Sequence, residues 1–255
     1  MKKHLHTLEL TWQKMRYDLK AENYRGLIGY GWWIIEPLTY VISLYVIFGM
    51  GLRRGPDNFI LFNFTGTVFW KWYTSSVQIA CTVIGRHKAL ISQVYIPKYI
   101  LVLSFLASNT LKFLVVFTIL LVVAWSTGHP PNVHYIHLPL VLLVSGLLIA
   151  SLSFLLASIG PFLTDLPMLI TNLNMVLFFL SGIFFDVHTI SAPVFNIIRF
   201  NPFLIMITSY RDVILYDRNP AFAQLLMVSL FASVLLTVAV LLMRHFDRVY
   251  PKIVH

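Results

Sequence analysis

Charge is scarce in this chain. Of its 255 residues only 11% are charged, and ten are acidic against nineteen basic. Soluble domains carry about 25% charged residues. Hydrophobic residues make up 58%, and the mean hydropathy is +0.78. A soluble fold of this length has no means of hiding so much apolar surface, whereas in a bilayer the lipid is the solvent. Cys81 is the single cysteine, so an intrachain disulfide is excluded. No G-x-x-x-x-G-K-[ST] loop occurs, which excludes P-loop ATP binding, and H-E-x-x-H, paired cysteines and a nucleophile elbow are missing too. His129, His134 and His137 share one connection and are read as solvated rather than metal-binding. Carboxylates are nearly absent from the apolar runs, Glu36 lying near an end. Proton- or sodium-driven carriers usually keep carboxylates at membrane depth, and a membrane enzyme needs a catalytic cluster, so both classes are disfavoured. The basic start leads into an amphipathic stretch, so no cleavable signal peptide is expected.

What the sequence does have is apolar segments of spanning length. Six are read: 34–51, 59–83, 100–125, 138–162, 168–185 and 221–243. Each is near the ~20 residues a helix needs to cross the hydrocarbon, the fifth being the shortest. Before them, Leu5, Leu8, Trp12, Met15 and Leu19 alternate at spacings of three and four, which puts them on one helical face. That stripe predicts a helix lying on the membrane surface. The predicted fold class is therefore an all-α integral membrane protein. It has six transmembrane helices, an N-terminal amphipathic interface helix, and short re-entrant helices between the fifth and sixth spans. The re-entrant reading comes from 186–220, where the apolar piece 192–200 is too short to span. There Asn201-Pro202 breaks the chain, and a second short helix is predicted over 204–215. The whole of 1–255 reads as one transmembrane domain. Residues 1–33 form a cytoplasmic interface segment, 34–243 the six-span core and 244–255 a cytoplasmic tail.

The net charge of +9 does not point to nucleic acid, because the basic residues cluster between apolar runs. Twelve Lys and Arg fall on one side: Lys2, Lys3, Lys14, Arg16, Lys20, Arg25, Arg86, Lys88, Lys98, Arg244, Arg248 and Lys252. Five fall on the other: Arg53, Arg54, Arg199, Arg211 and Arg218. The asymmetry predicts that both termini are cytoplasmic. Lys71 and Lys112 remain, each near the middle of a span. A lysine there costs about 2.5–3.5 kcal/mol by insertion scales. Lys71 is read as facing the protein interior or a wet channel; the alternative is a lysine that snorkels or is held by carbonyls and aromatics as a packing device. In the fourth span Gly146 and Ala150, and Ser153 and Ala157, give small-xxx-small faces for close helix packing.

Four segments resemble the permease subunits of type-2 ATP-binding-cassette exporters, in the branch that exports capsular polysaccharide, O antigen and teichoic acid. Ile28-Gly29-Tyr30-Gly31-Trp32-Trp33-Ile34-Ile35-Glu36-Pro37 is similar to that family's L-G-x-L-W-x-x-x-x-P. Val94-Tyr95-Ile96-Pro97-Lys98 is similar to its V-Y-x-P-[RK]. Asp165-Leu166-Pro167 leads to Leu180-Ser181-Gly182-Ile183-Phe184-Phe185, and Asn201-Pro202-Phe203 is followed by Tyr210-Arg211. One departure is that Glu22 and Asn23 stand where relatives commonly have a basic residue and an aromatic; Tyr24-Arg25-Gly26 carries that character, displaced along the chain.

The resemblance implies a homodimer in the bacterial inner membrane, working with a separate cytoplasmic ATPase subunit and moving a lipid-linked glycan outward. It implies no cofactor on this chain, with ATP and Mg on the partner. Alternatives are export of a small lipophilic drug or lipo-oligosaccharide, and a non-transporting assembly protein. On the export reading Arg25 receives the lipid-linked head group, with Tyr24, Tyr30, Trp32 and Trp33 around it, because a diphosphate suits arginine's planar donor fork. The plainer alternative is a topology signal flanked by belt aromatics. Lys71, Trp70, Trp72, Phe178 and Phe179 are the candidate channel lining. Arg86, His87, Lys88 and Tyr95 are the candidate ATPase contact, for which a topology signal is again the alternative.

Overall fold

The computed structural model describes residues 2–24, 29–44, 46, 59–93, 97–187, 196 and 198–253. Arg25, Arg53, Arg54, Tyr95, the second half of the first predicted span and most of 192–200 lie outside the described residues, as do the side chains of Tyr24 and Tyr30. All regular structure among the described residues is helical. The helices are α1 (Lys2–Tyr24), α2 (Trp32–Leu44), α3 (Phe59–Arg86), α4 (Lys88–Gln93), α5 (Lys98–Ser126), α6 (Leu138–Ile159), α7 (Leu166–Leu180), α8 (Pro202–Ile214), α9 (Phe222–Phe246) and α10 (Tyr250–Ile253). Three stretches, Lys98–Ser126, Val133–Phe162 and Phe222–Phe246, are long and apolar enough to cross a bilayer. This is a helical membrane protein.

The most polar predicted span, α3, is the helix at the centre. It packs against α2, α5, α6, α7 and α8, and Leu61 through Trp70 are all buried. Its hydroxyls are tolerated there because they turn back onto their own helix. Thr65 donates to the Leu61 carbonyl at 2.8 Å and Ser76 to that of Trp72 at 2.7 Å. Such back-bonding satisfies a polar group that hydrocarbon would otherwise leave unpaired. The N-terminal stripe forms a helix as expected, but it also docks on α5: Met15 is buried, while Trp12 stays exposed.

The helix ends gather at two poles. At one, α10 meets α4 and the turn Gly160–Phe162. There Lys98 pairs with Asp247 at 3.2 Å, and Tyr250 donates to the Ser158 carbonyl at 3.1 Å. Burial pushes the Tyr250 pKa up, so the hydroxyl keeps its proton for that bond. Gly160 lets this turn touch α3, since a Cβ on it would stand 2.2 Å from the Cys81 carbonyl oxygen. At the other pole Asn132 donates to the Val213 carbonyl at 3.2 Å, and the His134 ring lies 2.7 Å from the Asn219 side-chain oxygen. Helices α3, α5 and α6 thus run in alternate directions, and α9 runs the same way as α6.

The fifth predicted span is corrected by the structure. An apolar run to Phe185 was expected, but α7 stops at Leu180. Its 15 residues reach about 22 Å, short of the ~30 Å hydrocarbon. Gly182 takes a positive φ of 71° and turns the chain. Arg211 receives the freed carbonyls, donating to Gly182 at 2.6 Å and Ile183 at 2.9 Å, and twice to Phe62 of α3 at 3.1 and 3.2 Å. Arg211 was expected among the loop charges. It is instead 2% exposed, inside α8, and leaves the basic asymmetry larger. The short helix predicted over 204–215 is α8. Asn201 caps it, accepting from the Phe203 N–H at 3.0 Å, and reaches back to the Leu180 carbonyl at 3.2 Å. Phe203 sits beside Trp70 and Tyr73, near the middle of α3, whereas Arg211 sits beside Phe62 near its start. Tyr216, just after α8, donates to Asp186 at 3.0 Å. The chain is thus at the same pole at Asp186 and at Tyr216, and half-way down α3 in between. Burial, then the Asp186 contact, raises the Tyr216 pKa to about 12.

Candidate functional site

A cleft of about 480 Å³ lies between α2, α3 and α5. Its register is set by two contacts from α2 to α3. Glu36 pairs with Lys71, and Thr67 donates to the Tyr40 hydroxyl at 2.9 Å. Four residues up α2 thus match four residues down α3, the mark of antiparallel neighbours one turn apart. Lys112 enters from α5 with its ammonium 5.5 Å from the centre of the Trp33 ring, a cation over an aromatic face. Beneath, Trp72 stacks on Phe113 with ring centres 4.0 Å apart and planes 13° from parallel. The Asn109 amide donates to Ser75 at 2.7 Å and Ser76 at 2.8 Å, tying α5 to α3.

The depth of the two lysines follows from the helix bounds. Lys71 is twelve residues from the start of α3 and fifteen from its end, about 18 and 22 Å at 1.5 Å per residue. Lys112 is fourteen residues from either end of α5, about 21 Å. Both cations therefore stand at mid-helix. Lys71 is stabilised there by a carboxylate, and its side chain is 46% exposed, so it faces out of the subunit core into the cleft.

The structure regroups the residues expected from sequence. Trp32 and Trp33, expected around a head group, and Lys71 and Trp72, expected along a channel, line this one cleft. Trp70 does not: it is buried among Tyr73, Phe178 and Phe203. Phe178 is half-buried in that cluster, and Phe179 is exposed on α7. Arg86 closes α3 and Lys88 opens α4, both exposed. His87 between them is half-buried, its ring 2.8 Å from the Val83 carbonyl. Two participants were missed. Glu36 was set aside as an end-of-span carboxylate, and its partner is visible only once α2 and α3 are in register. Lys98 was read as an orienting charge, but it is buried against Asp247.

Among the described residues this is a helical membrane protein whose fifth apolar run breaks after Leu180 and whose central helix borders a cleft holding two lysines and a carboxylate. The sequence profile of the ABC-2 type transporter family matches residues 24–215. The chain belongs to that family, and the resemblance seen in the four segments is borne out. It is similar to the O-antigen export system permease protein RfbA of Myxococcus xanthus, 27% identical over 225 residues that cover 87% of this chain and 86% of that one. A protein of the same name from Klebsiella pneumoniae is 24% identical over 222 residues, covering 87% and 85%.

Proposed function

We propose that this chain is the membrane subunit of an ATP-driven exporter that moves a lipid-linked polysaccharide of the O-antigen kind outward across a bacterial inner membrane. The observation that carries the reading is the match to O-antigen export permeases along nearly the full length of both chains. The physical need fits. A glycan carries many hydroxyls, and stripping each of its hydrogen bonds in hydrocarbon costs several kcal/mol. A path walled by aromatic and polar side chains avoids that cost.

In this reading two copies form the transporter, each with six spans, both termini in the cytoplasm and α1 at the cytoplasmic interface. The pole holding α4 faces a separate ATPase subunit, which binds ATP and Mg, and Arg86, His87, Lys88 and Tyr95 form the contact. Arg25, with Tyr24, Tyr30, Trp32 and Trp33, receives the head group. Lys71, Trp72, Phe178 and Phe179 border the path of the glycan, and Trp70 packs behind them in the aromatic cluster. The test is reconstitution of the chain with its ATPase in proteoliposomes holding a lipid-linked glycan on the ATPase-facing leaflet. ATP-dependent appearance of glycan on the opposite leaflet is expected. ATP hydrolysis with no transfer of any lipid-linked glycan refutes the reading.

A further inference from the structure

A second cavity, of about 400 Å³, lies at the pole that holds α4, where the ends of α5 and α9 stand beside α6. That volume is in the range of small-molecule sites. Its polar lining is Tyr99 at the start of α5 and Arg244 and Asp247 at the end of α9. Deeper in, Leu103, Phe154 and Val240 make an apolar floor. The change from polar to apolar follows depth. The 25 residues of α9 reach about 38 Å. Centred on a ~30 Å hydrocarbon layer, the helix overhangs by about 4 Å at each end. Arg244 is two residues from the end of α9, about 3 Å, and so stands at the head-group level. Val240 is six residues from that end, about 9 Å, and so lies within the hydrocarbon. The two charges of the lining are not equivalent. The Asp247 carboxylate is met at 3.2 Å by Lys98, whose side chain is 1% exposed. Arg244 is exposed at the mouth, and His245 and Arg248 beside it are exposed as well. A basic pocket between spanning helices, with an apolar floor, has the chemistry that holds acidic lipid head groups.

We propose that this cavity holds a resident anionic glycerophospholipid of the leaflet at the α4 pole. Its phosphate sits on the planar donor fork of Arg244. The upper part of one acyl chain lies against Leu103, Phe154 and Val240. A zwitterionic lipid would want a carboxylate for its ammonium group, and Asp247 is already engaged by Lys98. The bound lipid fills the gap between α5, α6 and α9 beside that ion pair. It is thus part of the clasp of the pole and not of the path of the exported molecule. The proposal is independent of what the chain exports.

The test is native mass spectrometry of the full chain, delipidated in mild detergent and titrated with phosphatidylglycerol, phosphatidylethanolamine or phosphatidylcholine. One tight phosphatidylglycerol per chain is expected, held at least about tenfold more strongly than either zwitterionic lipid. The melting temperature should rise with it, since a ligand of the folded state stabilises that state. Arg244→Gln is expected to lose the preference for phosphatidylglycerol. Arg218→Gln, an exposed arginine at the opposite pole, is expected to keep it. Val240→Trp fills the floor while leaving Arg244 in place, and is expected to weaken binding at least about tenfold. Should that variant aggregate, Leu103→Trp takes its place. Unchanged binding in Arg244→Gln overturns the proposal. Unchanged binding in the filled variant overturns it too, because the lipid is then adsorbed on a basic surface and not seated in the cavity. Phosphatidylethanolamine held as strongly as phosphatidylglycerol overturns the anionic assignment. Displacement of phosphatidylglycerol by an equal concentration of farnesyl diphosphate overturns residency and makes the cavity a substrate site.

Discussion

Replacing Arg211 with methionine keeps a long side chain in α8 and removes the guanidinium that holds the break after α7. Four hydrogen bonds vanish, and the Gly182 and Ile183 carbonyls lose the donors that reach them beyond the last turn of the helix. A buried acceptor left without a donor costs about 1–3 kcal/mol, so two cost about 2–6. Relief from burying a cation offsets part of this. The expected net loss is about 3 kcal/mol, a factor of about a hundred in the folded-to-unfolded ratio. It is read by titrating the purified chain with SDS in mixed micelles and following the transition. Arg211→Lys should fall between the two, since a single compact nitrogen does not reproduce the planar fork whose three nitrogens reach the separate carbonyls. An Arg211→Met chain that unfolds at the wild-type SDS fraction refutes the claim that this side chain holds the break.

Gly160→Ala should sharply reduce the yield of monodisperse protein, because its Cβ meets the Cys81 backbone at 2.2 Å, whereas Gly146→Ala, with 3.7 Å to the Trp72 ring, should purify normally. Equal yields on size exclusion would contradict this. Asp247→Asn takes the carboxylate away from a Lys98 side chain only 1% exposed, at a cost of about 3 kcal/mol. Adding Lys98→Met should restore part of the loss, as a double-mutant cycle in melting temperature will show. A photocrosslinker at position 88 should capture the copurified ATPase, and capture only from the C-terminal tail would move the contact elsewhere. Reporter fusions should place the loop near His134 and the end at His255 on opposite sides of the membrane; the same side for both breaks the six-span topology.

Runs of apolar residues located the long helices well. The start of α3 at Phe59 and the body of α9 follow from hydropathy, because lipid sets a minimum length and the sequence meets it. Hydropathy also overran the end of α7, since Ile183, Phe184 and Phe185 continue the apolar run. What stops the helix is a glycine in a left-handed turn and an arginine 29 residues further on, and neither changes local composition. Arg211 was misplaced for a related reason: counting loop charges assumes that an arginine must reach water, and here peptide carbonyls take water's place. The cleft was half legible. Its tryptophans and Lys71 were recognised singly, but no pattern within one helix gives the register of α2 on α3, so they were assigned to two different sites and Glu36 to none.

The clasped pole has a mechanical consequence. Cys81 against Gly160, Ser158 bonded to Tyr250 and Lys98 paired with Asp247 fasten α3, α5, α6 and α9 to one another at a single level. A push on α4 therefore meets a stiff plate and not a row of independent rods, and the load spreads at once to every helix rooted there. Among the described residues the seam between α2 and α3 carries an ion pair on exposed side chains and a hydroxyl contact from the buried Thr67. Because α3 and α5 also wall the cleft, a load applied at the pole reaches those walls through the same two helices.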